Sequence, residues 1–243
     1  MKISHAQWQG TRSRQEDSWA VRCYDNDALL LVGDGMGGHD AGDVASFTAV
    51  KVFQKAFDKA KKEAMPDRLR LALDHANAAV GRMLRKRKQY GGTTLAAAYV
   101  GRGILWWVSV GDSPLFLWRH GHLVRLNEDH SMRPWLAESY RNGDMTYSQY
   151  VCERNYLNSA VTGDEIAQID LPLTPYFLLP GDRIILGTDG LEPCLNAFQK
   201  PIDDVARILG ADARDAAASL VAYLQMMGRP AYDNVTAIVA DPF

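Results

Sequence analysis

Between residues 93 and 126 the chain places four runs of β-favouring residues almost end to end, and the breaks between them are too short to hold a helix. The runs are 93–100, 104–110, 114–118 and 122–126, and the breaks are Gly101-Arg102-Gly103, Gly111-Asp112 and His120-Gly121. Closely spaced strands with glycine-containing turns predict an antiparallel meander. Two earlier runs, Trp19 to Tyr24 and Ala28 to Val32, flank the turn-forming Asp25-Asn26-Asp27 and read as a further hairpin. Helical spacing appears in the interval that follows. Residues 41–62 carry Val44, Phe47, Val52, Phe53 and Phe57, and 66–88 carry the stripe Leu69, Leu73, Ala76, Val80 and Leu84, with Pro66 suited to a first turn. A last helix over 212–227, stopped by Gly228 and Pro230, precedes a strand from Val235 to Ala240. Strands and helices arranged this way predict an α+β fold.

Composition narrows the function classes. The 243 residues carry 27 basic and 29 acidic side chains, so no charge excess draws the chain to nucleic acid or to an anionic membrane. A hydrophobic fraction of 47% is enough to build a core, and the length is read as one domain spanning 1–243. Cys23, Cys152 and Cys194 form neither a disulfide framework nor a close ligand cluster, which fits a reducing, cytoplasmic location. The N-terminus lacks an apolar stretch of signal-peptide length, and apolar runs elsewhere stop well short of about 18 residues, so no membrane insertion and no attached regulatory module are expected.

The chemistry is expected from carboxylates at strand ends. Val32-Gly33-Asp34-Gly35-Met36-Gly37-Gly38-His39 follows a strand and precedes a helix; alone it reads equally well as a flexible turn with a solvated Asp34. The placement recurs, however. Asp189-Gly190 follows the apolar run 184–188, Asp112 follows the strand ending at Val110, Asp233-Asn234 opens the final strand, and Glu16-Asp17 precedes Trp19. Carboxylates gathered at one sheet edge repel each other unless cations neutralise them, so the group suggests a site for several hard divalent ions. Oxygen ligands suit Mg²⁺ or Mn²⁺ better than zinc, and His5, His39, His75, His120, His122 and His130 show no His-Glu-X-X-His spacing. Two such ions about 3.5–4 Å apart activate a shared water for attack on phosphorus.

These segments resemble a known family. Arg12-Ser13-Arg14-Gln15-Glu16-Asp17, the Asp34 segment, Gly92-Thr93-Thr94, Val110-Gly111-Asp112-Ser113, Glu128-Asp129-His130-Ser131, Gly187-Thr188-Asp189-Gly190-Leu191 and Asp233-Asn234-Val235-Thr236 stand in the order found in metal-dependent Ser/Thr protein phosphatases of the 2C type. The likeness runs along nearly the whole chain, and Gly-Met-Gly-Gly-His is similar to the bacterial branch. The resemblance implies a β-sandwich of two antiparallel sheets flanked by antiparallel helix pairs, with the metals at one edge. It implies that Asp34 bridges two ions, Asp189 and Asp233 complete one side, and Glu16, partly through water, with the Gly35 carbonyl serves the other. Asp17 would orient metal-bound water, and Asp112 with Asp189 would hold a third, weaker ion. Arg12, four residues before Glu16, would grip the phosphate. The implied reaction is one-step, in-line attack of metal-activated water on a phosphoserine or phosphothreonine monoester in a protein, opposing a Ser/Thr kinase.

Several positions depart from the family pattern. Gln15 replaces the usual asparagine, Pro114 follows Gly111-Asp112-Ser113 where arginine is common, and Met36 stands where animal relatives place a histidine proposed as general acid. His39 reads as structural or as a neighbour of a metal ligand. Residues 131–160, with Trp135, Tyr140, Tyr147, Tyr150 and Tyr156, correspond to the family's variable flap, from which Arg133, Arg141 and Arg154 would reach phosphorylated or acidic surfaces unless they are ordinary surface charge. The run Arg85-Lys86-Arg87-Lys88 reads as the solvated end of a helix. Two other functions fit the pattern: a catalytically silent phosphatase-like binding module and a different two-metal hydrolase such as a nuclease. Retention of every site carboxylate favours an active enzyme over the first, and the near-neutral charge counts against the second.

Overall fold

The computed structural model describes residues 1–37, 41–195, 203–210 and 213–243. In chain order the elements begin with β1 (Lys2–Trp8), β2 (Asp17–Cys23), β3 (Asp27–Met36), α1 (Ala41–Lys59) and α2 (Met65–Arg87). Next come β4 (Gly92–Thr93), β5 (Leu95–Gly101), β6 (Ile104–Val110), β7 (Leu115–Arg119), β8 (His122–Arg125), α3 (Arg133–Asn142) and α4 (Tyr147–Glu153). The chain continues through β9 (Tyr176–Phe177), β10 (Arg183–Gly187), a 3₁₀ turn (Asp189–Leu191), α5 (Glu192–Leu195), α6 (Asp203–Gly210), α7 (Ala213–Met226) and β11 (Val235–Asp241).

Two antiparallel sheets result. One runs β2-β3-β5-β6-β9, with β4 also on β3, and the other runs β1-β11-β10-β7-β8. Strand alternation sorts side chains into layers. Ala28, Leu30, Val32, Ala96, Ala98 and Val100 from the first sheet meet Leu115, Leu117, Ile184, Leu186, Ile238 and Ala240 from the second in the middle of the sandwich. The alternate residues Leu29, Leu31, Leu95 and Ala97 face outward onto α1 and α2. On the far side Phe116, Ile185, Ala237 and Val239 meet α6 and α7 through Val205, Leu209, Ala217, Leu220 and Leu224. Helix, sheet, sheet, helix is therefore the order of layers, as the α+β β-sandwich requires.

The stripe Leu69, Leu73, Ala76, Val80 and Leu84 of α2 is buried as its spacing predicts. On α1 the buried stripe is instead Ala45, Ala49, Phe53 and Phe57, while Phe47 is exposed and Val44 and Val52 are only half-buried. Four-residue spacing of small alanines brings that helix close to the sheet, a face that counting large apolar residues overlooks.

The meander is corrected in one respect. Strands β5 and β6 pair in the first sheet and β7 and β8 in the second, so the chain changes sheets at Gly111-Asp112. Gly111 makes this possible with φ +98°, and a Cβ there would stand 2.6 Å from Thr94 Cγ2. A second correction concerns Asp34. It lies not in a loop after a strand but inside β3, which runs on to Met36 by pairing Asp34 with Asp17 and Gly35 with Thr93.

Candidate metal centre

The sheet edges deliver the carboxylates. Asp17 opens β2 directly opposite Asp34 of β3, Asp112 follows β6 at the crossover, Asp189 follows β10, and Asp233 stands two residues before β11. Backbone bonds fix several of these positions. Asp34 donates its N–H to Thr94 Oγ1 at 2.9 Å, and its carbonyl accepts from Thr94 N and Thr93 Oγ1. Glu16 N–H donates to Asn234 Oδ1 at 2.7 Å, and Asn234 Nδ2 donates to the Gln9 and Arg14 carbonyls, which ties the Arg12–Glu16 segment to the start of β11. Thr188 Oγ1 and Thr236 Oγ1 donate to Asp17 Oδ2 at 2.9 and 2.7 Å.

Glycines let the Glu16 side of the site close. A Cβ on Gly35 would lie 2.2 Å from the Gly42 carbonyl oxygen and 2.6 Å from that of Glu16, so α1 and the β2 approach meet at bare backbone. A Cβ on Gly42 would lie 2.7 Å from Glu16 Oε1 and 2.9 Å from the Gly35 carbonyl carbon, so the Glu16 carboxylate and the Gly35 peptide share one pocket. Asp43, in the first turn of α1, adds negative charge beside Glu16; burial first, then Asp43, pushes the Glu16 carboxyl up.

Electrostatics show what the cluster lacks. Burial, then the charges of Asp17, Asp189, Asp112 and Asp233, hold the Asp34 carboxyl well above its usual range. Asp112 is raised well above the usual range by burial and by Asp189, against the pull of Arg133. Asp189 is raised by burial and Asp233, and it comes within hydrogen-bonding reach of Asp34. Burial pushes Asp17 up to about 7 despite its two threonine donors. Asp17 Oδ1 and Asp189 Oδ1 are buried without a hydrogen-bond partner. Orphaned anionic oxygens and mutually repelling carboxylates are the chemistry that hard cations satisfy, so the donor set fits Mg²⁺ or Mn²⁺. Among the described residues the His, Cys, Asp and Glu side chains are nonetheless not closed in threes around one point. Two arginines hold part of the cluster instead: Arg12 Nη2 donates to Asp233 Oδ2 at 2.6 Å, and Arg133 Nη2 lies 3.7 Å from Asp112 Oδ2.

The structure thus brings together Glu16, Asp17, Asp34, Gly35, Asp112, Asp189 and Asp233 with Arg12 at the rim. Burial lowers the Arg12 guanidinium, but Asp233, Asp189 and Asp34 raise it further, so it stays charged. His39 lies outside the described residues. Arg133 is a correction: its side chain is 12% exposed and bonds Glu192, with Asp129 3.6 Å away, so it serves the interior and not the surface. Arg141 bonds the Ala137 carbonyl on its own helix, and Arg154 sits over the Tyr150 ring at 5.7 Å. Sequence reasoning missed Asp43, Arg125 and Glu192. Glu192 offered a signal, directly following the Asp189-Gly190-Leu191 motif; Arg133 offered none, since its partner Glu192 lies far along the chain.

Comparison with known proteins places this geometry. The chain is 29% identical over 238 residues to the serine/threonine protein phosphatase PstP of Mycobacterium tuberculosis, matching 95% of this chain and spanning 42% of the length of that relative. It is 30% identical over 200 residues to the serine/threonine phosphatase stp of Listeria welshimeri, with 77% of each covered. The catalytic domain of PstP, solved in complex with two manganese ions, superposes with a TM-score of 0.75 at 27% identity, covering 99% of this chain and 97% of that one. The sequence profile of protein phosphatase 2C matches residues 7–225. That span takes in every carboxylate of the edge except Asp233, which the fold brings back beside Arg12, and the chain accordingly belongs to the protein phosphatase 2C family.

Proposed function

We propose that residues 1–243 act as one catalytic domain that hydrolyses phosphoserine and phosphothreonine monoesters in proteins. The observation that carries this reading is the convergence of buried, mutually repelling carboxylates at one sandwich edge, with a permanently charged arginine at the rim. Asp34, Asp189 and Asp233 would hold one divalent ion, and Asp34, Glu16 and the Gly35 carbonyl a second. Asp112 with Asp189 would take a third, weaker one. Mn²⁺ or Mg²⁺ bound there supplies Lewis-acid charge and lowers the pKa of water. The manganese-bound PstP domain supports that choice of ion, and the names of the relatives support the substrate class.

The remaining work falls to the chain's own groups. Arg12 has a 58% exposed side chain whose fork can grip two phosphate oxygens in a bidentate fashion. Asp17, fixed by Thr188 and Thr236, orients the attacking water. Near-neutral overall charge suits a protein substrate better than a polynucleotide. A Ser/Thr kinase in the same cytoplasmic compartment would supply the substrate; among the described residues no helix is long and apolar enough to cross a membrane.

The test is phosphate release from phosphothreonine and phosphotyrosine peptides, and nicking of duplex DNA, in EDTA, Mg²⁺ and Mn²⁺, with Asp34→Ala as control. Metal-dependent release from the phosphothreonine peptide alone, lost in the variant, is expected. Metal-dependent cleavage of DNA, or no release from folded protein in any metal, would overturn the reading.

A further inference from the structure

Arg133 is the first residue of α3 and the point where the 131–160 segment enters the interior. Its Nη1 bonds the Glu192 carboxylate, its Nη2 donates to Asn155 Oδ1 at 3.2 Å, and the same group stands 3.7 Å from Asp112 Oδ2. Arg125, from β8, completes the cluster: it donates to Asp129 at 3.0 Å, to Glu192 at 3.2 Å and to the Asp112 carbonyl at 2.8 Å. Position 114, where the family pattern commonly has arginine, is Pro114 and carries no charge. The cations of this corner come instead from β8 and from the flap.

The geometry matters because Arg133 is the guanidinium that touches the Asp112 side chain, whereas Arg125 bonds only its backbone. Guanidinium does not deprotonate at any relevant pH, so the charge beside Asp112 is permanent. An added divalent ion on Asp112 and Asp189 would meet that charge at close range and be repelled.

We propose that Arg133 is the internal cation of the Asp112–Asp189 edge: it takes the place of a third divalent ion and tethers α3 to the metal centre. Arg133 is thus a positioning residue. It holds Asp112 through an ion pair, so the flap is docked when the third ion is absent. The inference rests on the proposed metal centre and goes beyond it, because it makes flap docking and third-ion binding competitors for one carboxylate.

The test measures Mn²⁺ binding through the electron paramagnetic resonance signal of the free ion. It uses wild type, Arg133→Gln, Arg133→Lys and the double variant Arg133→Gln/Glu192→Gln, which removes one opposite charge with the arginine and guards against misfolding. Chymotrypsin cleavage within 131–160 is followed in parallel. Wild type should bind two ions tightly, Arg133→Gln should bind a third about tenfold or more tighter than wild type does, and the double variant should gain by a smaller factor because it also loses the Glu192 charge. Both variants should be cleaved faster than wild type whether or not Mn²⁺ is present, whereas Arg133→Lys should keep the weak third site. Two ions in wild type with an unchanged third constant in both folded glutamine variants would overturn the inference alone. No Mn²⁺ bound by wild type would overturn the metal centre and the inference together.

Discussion

Replacing Asp17 by asparagine should stabilise the metal-free protein, and the gain should grow as the pH rises from about 4 to about 7. The Asp17 carboxyl is raised from the ordinary 3.8 to about 7, chiefly by burial and further by Asp189 and Asp233, against the pull of Thr236 and Thr188. A carboxyl raised in this way keeps its proton in the folded state between about pH 4 and pH 7, where the unfolded chain has released it. Its contribution to stability is therefore complete below about pH 4 and is lost as the pH rises through about 7. At about 1.36 kcal/mol for each pH unit between the two values, the ionised side chain weighs against folding by as much as about 4 kcal/mol at pH 8. Asparagine keeps the acceptor for Thr188 and Thr236 and puts an N–H₂ where Oδ1 now has no partner. Urea unfolding in EDTA at pH 5 and pH 8 reads the difference. Asp17→Asn should gain about 2–4 kcal/mol at pH 8 and much less at pH 5. An equal change at both pH values, or a loss at pH 8, would refute the argument that burial and charge repulsion dominate this carboxyl.

Divalent ions should reverse that pH dependence in wild type. Without metal the raised carboxyls of Asp17, Asp34, Asp112 and Asp189 make stability fall as pH rises, opposed by His130, which burial lowers and which favours the neutral side. With Mn²⁺ in excess the melting temperature should instead rise from pH 5.5 to 8, because the ligands bind deprotonated; parallel curves would contradict the cation assignment. Gly35→Ala should cost about 2 kcal/mol or more in urea unfolding, since its Cβ meets two backbone carbonyls, whereas Gly210→Ala, with no contact within 4 Å among the described residues, should change stability by less than about 1 kcal/mol. Arg12→Ala should raise KM for a phosphothreonine peptide about tenfold or more while leaving Mn²⁺ stoichiometry at wild-type value, and unchanged kinetics would remove the proposed clamp.

The carboxylate edge was legible because Glu16-Asp17, Asp112, Asp189 and Asp233 stand where strands begin or end and Asp34 stands among glycines, and such signals are local. What the sequence hides is pairing over distance. No strand is read over residues 2–8, where Lys2, Ser4, His5 and Gln7 are polar; β1 forms because seven residues pair in register with β11. The passage from β6 to β7 looked like another hairpin, since a tight turn and a change of sheet both call for glycine at 111. Strand β3 runs through Gly33-Asp34-Gly35-Met36 because β2 and β4 supply partners that glycine content alone argues against. Arg133 could not be assigned to the interior, because its burial depends on Asp112 and Glu192 arriving from elsewhere in the chain.

The central claim is that cations gathered by these carboxylates drive phosphomonoester hydrolysis. It is tested most directly by titrating Mn²⁺ into metal-free protein while bound ion and phosphate release from a phosphothreonine peptide are recorded on the same samples, with Asp189→Ala beside wild type. The account predicts that release rises with occupancy of two ions in wild type, and that the variant loses at least one of them together with turnover. Full release in EDTA, or undiminished Mn²⁺-dependent release by Asp189→Ala, would contradict it.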